Sequence, residues 1–495
     1  ERHCPERAVS PGAYRPVRED EWPDRQRLGV EELPREHLHA RVEQHRRPEA
    51  HAEPRAGGQR RDLGGEPLVE TAQLDRVDRD ADGAERVIAT SQMQATDCRR
   101  AFPCFDEPDF KAVFDVTLIV DDGLLAVSNG QETERTPQAG GKVAVRFEPT
   151  MPMSTYLVAF VVGPLEATDP VMVHRTDGPP IPLRIIHVPG KAHLTAFGLD
   201  IGAFALGWYQ EYYGIPYPTD KCDMLALPDF AAGAMENLGC ITYREALLLV
   251  DPERASQGEV QVVGEVVAHE IAHMWFGDLV TMRWWNGIWL NEAFASLMET
   301  LAMDDWRPDW ELWNQFSRSR SVALEVDALS STRAIEYPVE SPDDSQDMFD
   351  VLTYTKGQSV LRMLERYLGD GFRDGIRAYL AEHAYGNTET VDLWNAIGAA
   401  SGEDVASIME PWIFRGGFPM LDAVEDGGDV RITSKRFRLG EGSDEAPWQV
   451  PFFVRVGDRT DRVLLPAGGT TLVESNCVMI AGPLILLPAS SSVRS

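Results

Sequence analysis

Between Gly264 and Thr300 the chain reads GEVVAHEIAHMWFGDLVTMRWWNGIWLNEAFASLMET, and the placing of two histidines and a glutamate within it constrains the fold more than any other stretch. His269 and His273 are four residues apart, so a helix stacks them on one face where both imidazoles reach a single ion. Two imidazoles leave a zinc site short of a third protein ligand and an open position for water, and Glu292, nineteen residues after His273, is placed to complete it. Gly277 and Asp278 break the first helix, and Asn291 is expected to cap a second whose first turn holds Glu292. Glu270 points about a quarter-turn away from its neighbour His269, which suits a base acting on the water rather than a fourth ligand. The alternative, an amphipathic helix with satisfied core histidines, makes the spaced glutamate a coincidence.

Composition bounds the rest. A chain of 495 residues with 43% hydrophobic side chains supports two to four domains with buried cores. A formal charge of -32 excludes a basic nucleic-acid surface and a polybasic membrane patch. The six cysteines show no CxxC pair or zinc-finger spacing, which fits free thiols in a reducing, cytoplasmic compartment. No apolar run reaches the length of a membrane-spanning helix, and no signal peptide opens the sequence.

Along the chain, residues 1–80 are rich in arginine and contain no Lys, Ile, Phe, Met or Asn, whereas all 19 Phe and 15 Met lie downstream. Two readings are open, a disordered extension or an out-of-frame translation joined to a genuine frame near Asp80, and the second is preferred. On either, this segment offers little alternating pattern to pair with later strands. Residues 81–175 read as a partial β-sandwich, with strands at Phe114–Val120, Val143–Phe147 and Tyr156–Val162. Residues 176–416 read as a mainly helical catalytic domain, and 417–495 as a small β-domain, complete or incomplete, with strands in DVRITSKRFRL and VPFFVRV. The fold class is therefore multidomain α+β.

Four motifs carry a resemblance: QATDCRRAFPCFDEP (Gln94 to Pro108), ALPDFAAGAMENLGCITYRE (Ala226 to Glu245), the HExxH stretch with Glu292, and YTKGQSVLRML (Tyr354 to Leu364). Together, and in this order, they resemble the zinc aminopeptidases of the aminopeptidase N family, whose catalytic domain is thermolysin-like. The resemblance spans about Asp82 to Pro466; the first 80 residues depart from it, the large carboxy-terminal helical domain of many members is not seen, and NCVMIAGPLILLPASSSVRS does not resemble a closing strand pair.

The resemblance implies one zinc ion on His269, His273 and Glu292, with Glu270 as general base and Tyr354 as donor to the oxyanion. It implies that Glu236 and Gln94 hold the α-amine of a peptide with a free amino terminus, and that Gly233, Ala234, Met235 and Asn237 of GAMEN complete the substrate-binding segment, the backbone around Gly233 and Ala234 lying beside the substrate as an added strand. Without it, Glu236 reads as a turn residue, Gln94 as an isolated glutamine and Tyr354 as a packing residue before an amphipathic helix. Trp284, Trp285, Trp289, Met274 and Phe276 read as core, and Glu265 as an exposed helix residue or a partner for an imidazole. The function expected is removal of the first residue of peptides. A leukotriene-type epoxide hydrolase and a poorly active, truncated or non-catalytic product are the alternatives.

Overall fold

The computed structural model describes residues 39–46, 72–77, 86–426, 429–440, 446–456, 458–474 and 477–480. Strict alternation builds the first sheet: along Ala112–Asp121 every second side chain is buried, from Ala112 through Phe114, Val116 and Leu118 to Val120. This strand lies between His39–Arg46 and Lys142–Phe147, with Glu132–Pro137 at the far edge. A second four-stranded sheet runs Ala72–Val77, Arg86–Ser91, Phe160–Gly163, Leu125–Ser128.

Two strands of these sheets come from within residues 1–80, a segment whose sequence offers little alternating pattern. His39–Arg46 and Ala72–Val77 are both end strands among the described residues, and an end strand pairs through its main chain without the apolar alternation an interior strand needs. The rest of residues 1–80 lies outside the described residues. The strand expected at Tyr156–Val162 is shorter than its apolar run: Thr155–Leu157 forms a 3₁₀ turn and pairing starts at Phe160. The Tyr156 hydroxyl donates to Gly277 O at 3.2 Å, which draws this turn toward the helical region.

The next sheet underlies the helical part. Ile181–His187, Cys222–Leu227 and Cys240–Arg244 run parallel, buried nearly throughout, and Ala234–Met235 adds an antiparallel end strand. Strands at Glu166–Ala167 and Val171–Val173 pair with Ile181–His187, so this sheet gathers residues from before position 176. Asp223, fully buried in the central strand, accepts two bonds from Arg184 (2.8 and 2.9 Å) and lies 2.9 Å from Lys221 Nζ. Ala196–Tyr213 and Gln257–Ala272 pack against the sheet, and Trp289–Trp306, the second helix of the HExxH stretch, packs on these two helices; Leu312–Asp327, Gly357–Leu368, Asp370–His383, Thr390–Ser401 and Val405–Phe414 follow.

Beyond Gly416 and Gly417 the chain returns to strands. Phe418–Asp426, Asp429–Phe437 and Thr470–Glu474 form one antiparallel sheet, and Arg459–Leu465, Val450–Val456 and Cys477–Ile480 another. Cys477–Ile480 therefore pairs despite its atypical sequence; residues 481–495 lie outside the described residues. Cys98, Cys104, Cys222 and Cys240 are free thiols. No helix among the described residues is long and apolar enough to cross a membrane.

Candidate active site

The helix Gln257–Ala272 starts on a reciprocal cap, in which Ser256 Oγ accepts from Glu259 N at 3.3 Å and Glu259 returns a 2.8 Å bond from Ser256 N. It ends with His273 in right-handed conformation, so His269 and His273 stay one turn apart with ring centroids 4.7 Å from each other. The second helix begins at Trp289, directly after a 3₁₀ turn at Trp285–Gly287, and Glu292 sits in its first turn. Asn291 is not its cap, because the preceding turn leads into the helix two residues earlier. Its amide is instead buried and directed at Tyr156 Oη and Met282 Sδ. Trp285, Trp289, Met274 and Phe276 are core, while Trp284 is half-buried and donates to Val339 O.

The two helices bring three donors together. Glu292 Oε2 lies 3.3 Å from His269 Nε2 and 3.4 Å from His273 Nε2, and the ligand atoms of the three residues all lie within 4.8 Å of one another. The remaining ring nitrogens are occupied: His269 Nδ1 meets Glu299 Oε2 at 2.6 Å, and His273 Nδ1 meets Phe276 O at 2.9 Å. Each Nδ1 thus carries the proton toward its partner and Nε2 faces the cluster, the arrangement that orients an imidazole for a cation. Glu299 takes the role considered for Glu265, which is half-buried on the cavity wall rather than exposed.

Around this trio stand two further buried carboxylates, Glu270 and Glu236, 7% and 3% exposed, each with an oxygen left unpaired among the described residues. Their ligand atoms and that of His273 also fall within 4.8 Å of one another. Burial, opposed by His269 and His273 and reinforced by Glu236 and Glu292, pushes the Glu270 carboxyl up to about 8. Burial likewise raises Glu236. Glu292 goes the other way: burial would raise it, but His273 and His269 override burial and draw it down to about 2. Burial would lower both histidines, yet the carboxylates lift His273 to about 9 and His269 well above its usual value. A cavity this acidic, with two convergent imidazole nitrogens and an ionised carboxylate, fits a divalent cation of zinc's ligand preference. His269, His273 and Glu292 suit it better than His273, Glu236 and Glu270, a set with only one nitrogen.

The site opens into a cavity of about 650 Å³. Gln94, Gly233, Ala234, Glu236, His269, Glu270, His273, Glu292 and Tyr354 all line it. Met235 and Asn237 do not appear on its wall: Met235 packs behind and its sulfur receives Gln92 Nε2 at 3.3 Å, and Asn237, fully buried, donates to Thr242 Oγ1. Gln94 presents an amide nitrogen without a partner among the described residues. Gln92, absent from the sequence reading, lines the same wall; it follows the strand Arg86–Ser91 and precedes the turn at Gln94, so no regular period marked it in the sequence. Ala234–Met235 ends its sheet, leaving main-chain groups toward the cavity side for a further strand. The Tyr354 ring lies 6.1 Å from that of His269, and burial, the charge of Glu292 and a hydrogen bond to it keep the phenol protonated far above its usual range.

Comparison with known proteins agrees with this geometry. Residues 197–412 match the domain described as Peptidase family M1 domain, and 76–157 the Peptidase M1 N-terminal domain. Aminopeptidase 2 of Candida albicans is 44% identical over 376 residues, covering 75% of this chain and 40% of that protein. Puromycin-sensitive aminopeptidase of Caenorhabditis elegans is 42% identical over 388 residues, 77% of this chain and 40% of its own length. Alanine/arginine aminopeptidase of Saccharomyces cerevisiae is 42% identical over 382 residues, 76% and 44% respectively. The chain spans about two fifths of the length of these relatives. With the Peptidase family M1 domain holding both helices of the site and the Peptidase M1 N-terminal domain preceding it, the chain belongs to peptidase family M1.

Proposed function

We propose that this chain is a zinc-dependent aminopeptidase that hydrolyses the first peptide bond of peptides with a free amino terminus. The observation that carries the reading is Glu236, a buried carboxylate with an unpaired oxygen beside Glu270 and the histidines. A buried carboxylate oxygen left without a hydrogen bond is costly, and an α-ammonium group supplies both the donor and a cation for it. Gln94, neutral and on the same wall, adds an acceptor when its amide is turned to place the oxygen rather than the unpaired nitrogen toward the ammonium.

His269, His273 and Glu292 would hold the zinc, which supplies Lewis acidity that polarises a carbonyl and acidifies water. Glu270 takes the proton of the attacking water and passes it to the departing amine; burial, which favours its protonated form, suits a group that must hold that proton between the two transfers. Tyr354 stays a hydrogen-bond donor throughout, because its phenol does not ionise near neutral pH, and its bond strengthens as charge develops on the substrate oxygen. The end strand at Ala234–Met235 aligns the peptide backbone, which fixes the scissile bond relative to Glu236.

A panel of aminoacyl arylamides, free and N-acetylated, assayed with and without a chelator, tests the proposal. Metal-dependent cleavage confined to the free amines is expected. Cleavage of both forms at equal rates, or a rate indifferent to the chelator after exhaustive dialysis, contradicts it.

A further inference from the structure

Tyr354 lies in Leu352–Lys356, a single turn of π-helix whose wide spacing is seen in the 3.1 Å bond from Lys356 N to Val351 O. Such a turn is not self-supporting, and here both ends are pinned from outside. At the start, Asp350 Oδ1 accepts from Leu352 N at 2.9 Å and Thr353 N at 3.1 Å, and Arg333 Nη2 reaches both Asp350 Oδ1 and Thr353 Oγ1. At the other end, Lys356 Nζ lies 2.9 Å from Asp327 Oδ2, with neither side chain exposed at all. Asp327 Oδ1 accepts from Gly417 N and Thr332 Oγ1, each at 2.7 Å, and Lys356 also donates to Gly417 O at 3.3 Å.

Gly417 stands where the helical region gives way to the carboxy-terminal strands, at a φ of +92°, and a Cβ there would meet Arg436 Nε at 2.6 Å. The pair therefore joins three elements: the end of Leu312–Asp327, the turn carrying Tyr354, and the entry to Phe418–Asp426. Burying two charges yields little net stability over an apolar pair of similar size, but it fixes geometry, since each charge tolerates only one placement of the other. Only Thr355 separates Lys356 from Tyr354, so a shift of the ammonium moves the phenol.

We propose that Lys356 and Asp327 are positioning residues for Tyr354, holding its hydroxyl at the site by tying the turn that carries it to the Gly417 junction. This rests on the reading of Tyr354 as the oxyanion donor. Neither residue touches substrate; their effect passes through the tyrosine alone.

The test is a double-mutant cycle on the zinc-loaded full chain, with kcat, KM and zinc content measured for Lys356→Met, Tyr354→Phe and the two combined. The proposal expects Lys356→Met to lower kcat about tenfold to a hundredfold with KM changed less than about twofold and zinc retained. In the Tyr354→Phe background the same substitution should cost almost nothing further. An equal loss in both backgrounds, which a merely structural pair would produce, overturns the proposal, as does an unchanged kcat. If Lys356→Met strands the Asp327 charge and fails to fold, Lys356→Met with Asp327→Leu removes both charges and runs through the same cycle with the same criteria. A wild-type kcat for Tyr354→Phe alone would remove the tyrosine from the mechanism, and this proposal with it.

Discussion

Glu299 accepts the Nδ1 proton of His269 at 2.6 Å from a position two turns beyond Glu292 on the same helix, so one helix carries both a proposed zinc ligand and the residue that orients another. Replacing Glu299 with Gln should weaken zinc affinity by about tenfold to a hundredfold, while saturating metal still loads the site. Competition against a chelator measures this directly. Unchanged affinity would leave Glu299 a bystander.

Metal affinity should also climb with pH. The carboxylates override burial and raise both imidazoles, His273 to about 9, so the metal-free site carries protons at neutral pH that a cation must displace. Protons favour the empty site, hence the sign. Between pH 6.5 and 7.5 the apparent affinity should rise between about tenfold and a hundredfold, one to two protons being released. A flat profile across that interval would contradict the protonated resting state.

The acid limb of stability reports on the sheet beneath the site. Burial would raise the Asp223 carboxyl, but Lys221 and Arg184 override it and hold it below the usual range. A depressed carboxylate contributes stability above its unfolded pKa near 3.9, and that contribution is lost as pH falls through the lower folded value. Asp223→Asn should cost about 3 kcal/mol at neutral pH by stranding the two cations, and should flatten the loss of stability below about pH 4. Urea denaturation at several pH values decides it; a variant as stable as the parent at pH 7 would show that the pair does not support the fold.

Selectivity for a free amino terminus should reside in Glu236. Glu236→Ala should lower kcat/KM for an unblocked substrate by about tenfold to a hundredfold and leave the small rate on its acetylated counterpart unaltered. Equal losses on both would place the amine contact elsewhere.

The motif residues were legible because helical spacing is local: His269, Glu270, His273 and Glu292 need only two helices and a turn to meet. The alternation from Phe114 to Val120 was equally plain, as a half-buried strand writes its burial into the sequence, and the strand extends it back to Ala112. Glu299 was not, since Glu265, one turn before His269, competed for the same role and only packing separates them. Asn291 resembled a cap because cap preference ignores the 3₁₀ turn at Trp285–Gly287. Nor did composition reveal the end strands His39–Arg46 and Ala72–Val77, which rely on backbone pairing. The Lys356–Asp327 pair was invisible for a different reason: burial of two charges depends on long-range contacts that no local pattern records.

The central claim, that Glu270 is the base of a metal-dependent peptide hydrolysis, is tested most directly by Glu270→Gln. Zinc content and the turnover of an unblocked aminoacyl arylamide are measured on the same sample. The account predicts stoichiometric zinc with turnover reduced by about 10²- to 10⁴-fold, because the ligands remain while proton transfer is lost. Stoichiometric zinc with near-parental kcat would contradict it.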